Sequence, residues 1–135
     1  MKSFGTATFG AVAALFLATS QAAALEYLCE FKNPSSRKTI PEQVLVKVSP
    51  DGSSADIIDP FLLHYGQAPL KASSFSDNDK LMKAKWLLKA DTGGAYVKFS
   101  YFLVFRKARG KASISLTPHG YDNSESGTGS CKIRT

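Results

Sequence analysis

Side chains that do chemistry are scarce in this chain. It has two histidines, two cysteines and one tryptophan, and none sits in a spacing that a known chemistry requires. No serine lies in GxSxG, and the cysteines are not spaced as CxxC. Asp77 and Asp79 begin like a calcium loop, but Lys80 and Leu81 follow where oxygen ligands and glycine are needed. Gly93-Gly94 is followed by a strand pattern and not by a helix, so it is no phosphate loop. His64 lies in a short apolar stretch and His119 between Pro118 and Gly120. The expectation is a protein with no catalytic residue, no metal and no cofactor. A hydrolase working through His64 or His119 is the remote alternative.

Long apolar runs are equally scarce. The only one, Phe9 to Ala18, is about half of the ~20 residues a membrane helix needs. Lys2 precedes it, and small residues at Ala22, Ala23 and Ala24 follow. Positive tip, short apolar core and small residues make a cleaved signal peptide over residues 1–24, cut after Ala24 or Ala22. Removing 24 residues from the 135 leaves 111, enough for a single domain over 25–135. No transmembrane segment is expected in that domain. The expected location is therefore periplasmic or extracellular. In such an oxidising compartment Cys29 and Cys131 are expected to form one disulfide across nearly the whole mature chain.

Acidic residues are missing from one particular stretch. Nine lysines and arginines lie between Lys80 and Lys111, and Asp91 is the one acid among them. The rest of the mature chain carries seven basic and ten acidic residues. A basic segment thus sits on a slightly acidic body.

What the chain does have is alternation. Leu25, Tyr27, Cys29 and Phe31 share one face of a first strand. Asn33 to Pro41 reads as a polar loop, and Val44, Val46 and Val48 as a second strand. Ser49-Pro50-Asp51-Gly52 is a turn. A four-residue loop there pairs Val46 with Ile57, and a glycine bulge shifts that register by one. Asp59 and Pro60 start a one- or two-turn helix that Gly66 ends. Leu70 to Phe75 suits a short strand, and residues 76–79 a turn. Met82, Ala84, Trp86, Leu88 and Ala90 face one side of a long strand whose partner runs from Ala95 to Arg106. A two-residue Thr92-Gly93 loop between them pairs Trp86 with Phe99 and Leu88 with Val97. Ala112, Ile114 and Leu116 continue the core face. Pro118 to Ser130 reads as a mobile polar loop, and Cys131 and Ile133 as one face of a last short strand.

The fold class is all-β and mainly antiparallel. Seven or eight strands make a small up-and-down barrel or bent sandwich with at most one short helix, closed by the disulfide. The order of elements loosely resembles small calycin-like periplasmic proteins, some lysozyme inhibitors among them. None of their signature residues is present, and no family is assigned.

One feature points to function. Lys83, Lys85, Lys89, Lys98 and Arg106 are expected to point away from the core, with Tyr96, Leu87 and Phe102 among them and Lys111 facing Arg106. Such a face attracts an anionic partner and holds its apolar parts. The ordinary alternative is a solvated face kept soluble by lysine. The expected protein is a non-enzymatic binding module for an anionic glycolipid, an acidic polysaccharide or an acidic protein. Nucleic acid fits poorly in an exported chain of modest charge. The alternative is an enzyme inhibitor or interaction protein acting through an exposed loop such as 118–130.

Overall fold

Apolar side chains at every second position leave a strand with one dry face, and more than half of the described residues are in strands. A computed structural model describes residues 24–32, 38–91 and 93–135, together with Gly5 and Gly10. The rest of the expected leader, most of the Asn33–Pro41 loop and Thr92 lie outside the described residues. The strands are β1 (Glu26–Lys32), β2 (Gln43–Val48), β3 (Ala55–Ile58), β4 (Leu70–Lys71), β5 (Ser74–Asp77), β6 (Leu81–Asp91), β7 (Tyr96–Arg106), β8 (Lys111–Pro118) and β9 (Glu125–Arg134). A five-residue helix, α1 (Pro60–His64), follows β3. All nine strands belong to one antiparallel sheet, ordered β4-β3-β2-β1-β9-β8-β7-β6-β5 and curled into a half-barrel.

The two edges of this sheet are consecutive in sequence. Between β4 and β5, the Ala72 N–H donates to Ala55 of β3 and the Ser73 N–H to Lys85 of β6. The chain thus crosses from one edge to the other in two residues.

The dry face is the inside of the curl. Tyr27, Val44, Val46, Ile57, Trp86, Leu103 and Ile114 are all buried there. The Trp86 and Tyr101 rings stack with centroids 5.4 Å apart, and Tyr27 meets Phe105 edge-on at 5.9 Å. Asp59 caps α1 by accepting the Leu62 N–H at 2.8 Å, and its other oxygen accepts the Trp86 indole N–H at 3.2 Å. The helix is tied to the core by one carboxylate. Cys29 and Cys131 stand directly opposite each other on β1 and β9 and are bonded.

Val46 faces Ile57, the register of a four-residue turn, which the Ser49 N–H closes onto Ser54. Four expectations are corrected. Nine strands replace seven or eight, because residues 70–77 hold two short strands. Of residues 76–79, Ser76 and Asp77 end β5, and the turn begins at Asn78, whose side chain accepts the Lys80 and Leu81 N–H groups. The β6–β7 register is shifted by two. Trp86 pairs with Tyr101 and Leu88 with Phe99, because Asp91 lies opposite Tyr96 and the loop spans 92–95. Gly93 and Gly94 both take positive φ there, a loop the two-residue reading did not allow. A shift of two keeps every side chain on its expected face. Lastly, most of 118–130 is strand: β9 begins at Glu125.

That last correction has a steric cause. Gly127 and Gly129 occupy the inner face of β9, where side chains have no room. A Cβ on Gly129 would lie 1.8 Å from the Glu30 carbonyl oxygen, and one on Gly127 3.0 Å from that of Lys32. At these glycines the sheet folds enough that β1 and β8, the two neighbours of β9, come into contact. The end of β1 and the start of β8 are brought toward each other across β9.

Candidate functional site

The outer face carries the candidate residues. Lys83, Lys85, Lys89, Lys98, Arg106, Lys111 and Tyr96 are exposed, and Phe102 is half-buried. Pleating places them there, since Met82, Ala84, Trp86 and Leu88 take the inner positions of the same strand. Arg106 is paired with Lys111 across β7 and β8, as expected. Lys85 lies opposite Phe102, and its ammonium stands 5.0 Å from the ring centroid. Lys89 lies directly opposite Lys98, a like-charge pair that opposes sheet formation.

The structure does not gather these residues at one spot. Tyr96 and Arg106 are ten residues apart on one strand, roughly 33 Å. They form a stripe with two ends. At one end, Tyr96, Leu87 and Lys89 join Tyr65, Gln67 and Leu70 around a shallow cleft. The Gln67 side chain bonds the Lys89 backbone on both its N–H and its carbonyl, which fixes the α1 exit against β6.

At the other end, Arg106 and Lys111 are joined by two cations that the sequence reading left out of the site. Lys32 comes from β1 and Arg109 from the β7–β8 turn, and all four line a depression of about 850 Å³. One ladder row explains how Lys32 arrives: Lys32 faces Thr128, Thr128 faces Ser113, Ser113 faces Val104 and Val104 faces Lys83. No local signal marks Lys32, because its membership depends on the β1–β9–β8 order and on the glycine fold in β9. Arg109 was visible as part of the basic segment, but its turn position gave it no face.

Charge balance on this face is one-sided. Among the described residues the ion pairs are Lys47–Glu26 at 4.0 Å and Lys107–Asp77 at 2.6 Å. None of the eight cations on the stripe and its end takes part in them. Lys107, the one basic residue of the β7–β8 turn with a carboxylate partner, is structural. Asp77 accepts from both Lys107 and the Tyr27 hydroxyl, each at 2.6 Å. Burial lowers the Lys107 pKa, but the bonds and charges of Asp77 and Tyr27 together outweigh it, and the ammonium is held above its usual value. Burial raises the Tyr27 phenol, and the Asp77 bond raises it further.

A nucleophile–base contact also lies on the outer face. Ser100 Oγ and His119 Nε2 are 2.6 Å apart and exposed. The sequence reading found no base partner for any serine, and this pairing corrects it. Strand register creates it, because the His119 N–H extends the β7–β8 ladder onto Lys98. Among the described residues no carboxylate is bonded to His119, and the Ser100 N–H belongs to a strand ladder, so the pair has neither an orienting acid nor an oxyanion donor there. His64 is exposed at the end of α1, with its ring edge-on to Tyr65 at 4.9 Å. Among the described residues no cluster of three or more His, Cys, Asp or Glu is placed to hold a metal, and no helix is long and apolar enough to cross a membrane.

Comparisons with protein-family models, with characterised proteins and with solved structures give no match to this chain, so the reading of the site rests on its own geometry.

Proposed function

We propose that the chain is an exported, non-enzymatic binding module whose outer basic face holds an anionic partner. The reading supposes removal of residues 1–24 and a working life in the periplasm or outside the cell, with which the Cys29–Cys131 disulfide is compatible. One observation carries it. Cations from four strands and a turn are collected on one face without carboxylate partners among the described residues, even to the point of setting Lys89 against Lys98. A face kept merely soluble is better served by mixed charges, which cost less in repulsion. Phe102 and Tyr96 add apolar area within the stripe, suited to the non-ionic parts of a glycolipid or polysaccharide.

The test is salt-dependent binding to vesicles with and without an anionic phospholipid and to an acidic polysaccharide. Wild type binds both anionic surfaces at low salt and releases them as salt rises. Lys85→Glu with Lys98→Glu weakens binding by roughly tenfold or more, at ~1 kcal/mol for each lysine near an anionic surface. The same change sets an opposite charge across from Lys89, so the melting temperature holds or rises slightly. Wild type with no affinity for any anionic surface at low salt removes the proposal.

A further inference from the structure

We infer that the fold at Gly127 and Gly129 builds a site for a sugar carrying phosphate or sulfate ester groups. The inference rests on the anionic-partner reading and names where the partner's charge is read. The outer stripe carries hollows of about 380 and 510 Å³ along β6 and β7, and its end near Arg106 opens onto a roomier concavity. There the end of β1 meets the start of β8 across the stretch of β9 whose inner positions are Gly127 and Gly129. Lys32, Arg106, Arg109 and Lys111 reach the concavity from three strands and a turn. Ser113, Thr128 and Ser130 supply hydroxyls on the same wall.

Donor chemistry selects the ligand. Two guanidinium forks, two ammonium groups and three hydroxyls offer far more N–H and O–H bonds than one planar carboxylate can accept. A phosphate or sulfate ester presents three terminal oxygens in a pyramid, and guanidinium grips two of them at once. A space of about 850 Å³ is much larger than a bare oxyanion and lies within the ~300–1,000 Å³ of small-molecule sites. The oxyanion therefore arrives on a carrier. Glu30, paired with Ser130 on the rim, is the one acid at the site. It repels a ligand that is anionic throughout and accepts hydrogen bonds from the hydroxyls of one that is not. Anionic esters interspersed with hydroxyls describe a sugar.

The experiment is calorimetric titration of the mature protein at low salt with three probes. These are a sulfated oligosaccharide, a sugar phosphate and a uronate oligosaccharide matched in length to the first. At least one ester probe binds tenfold or more tighter than the uronate, and comparing the two esters tells sulfate from phosphate as the source. Arg109→Ala with Lys111→Ala weakens ester binding at least tenfold and uronate binding less than threefold, with the circular dichroism spectrum unchanged. Equal binding of esters and uronate overturns the inference, as does ester binding that survives the double substitution. If Lys85→Glu with Lys98→Glu still lowers binding in that case, the basic face stands and the ester site alone falls. Failure of all three probes at low salt removes both.

Discussion

Asp59 shows how much one side chain can hold. It caps α1, receives the Trp86 indole, and is the one charged residue among the buried side chains described. Its neighbours in sequence suggested only a helix start. The tie to Trp86 was not legible, because it depends on β3 delivering the helix over the middle of β6. Asparagine can still cap but has a single acceptor oxygen, so Asp59→Asn leaves either Leu62 or Trp86 with an unmet N–H. At neutral pH that loss costs about 1–3 kcal/mol in chemical denaturation. Burial raises the Asp59 carboxyl above its ordinary value, despite the N–H bonds that lower it. The folded state therefore keeps the proton at pH values where the unfolded chain has lost it. Stability from this group is complete below the ordinary carboxylate value and is lost as pH rises through the raised one. Denaturation of wild type and Asp59→Asn should thus show the gap between them widening in favour of wild type on acidification from neutral pH.

Strands were more legible than loops, for a physical reason. A half-buried strand writes its period of two into the sequence, and β1, β2, β6, β7 and β8 all do so with Tyr27, Val46, Trp86, Tyr101 and Ile114 inward. β9 writes glycine where that period calls for apolar residues, so it resembled a loop. The missing side chains are the space that β1 occupies. Gly129→Ala should accordingly exceed the ~1–3 kcal/mol of ordinary overpacking, since the obstacle is the Glu30 backbone and not a side chain that can move. Thermal melting and amide exchange across β1 and β9 would measure it. An alanine tolerated there without loss would mean that the sheet does not fold at this point. The same gap in legibility hid half of the candidate site. Arg106 and Lys111 followed from one hairpin, but Lys32 joins them only through the crease in β9.

At the scale of the whole molecule the disulfide joins the central strand β9 to its neighbour β1 and spans 102 residues. Chain-entropy reasoning assigns such a loop ~4–5 kcal/mol as an upper figure. Material recovered from outside the cytoplasm should have an intact mass reduced by the leader and by two hydrogens. Cys29→Ser with Cys131→Ser should lower the melting temperature by several degrees or more. Two titratable thiols in native exported material would count against the bridge.

The place of β9 also sets an order of events. β1–β4 and β5–β8 are each a meander of neighbours in sequence, able to pair as soon as they emerge. β9 follows both in the chain and lies between them in the sheet, bordered by β1 and β8. Until it is inserted, no strand ladder joins the two meanders, which are linked by the two-residue crossing at Ala72 and Ser73 and by side-chain ties such as Asp59–Trp86 and Tyr27–Asp77. The basic corner does not exist before that moment, because Lys32 belongs to one meander and Arg106, Arg109 and Lys111 to the other. Insertion of the last strand therefore completes the core, brings Cys131 to Cys29 and creates the concave site in a single step. A partly folded chain would have neither the bond nor the concavity.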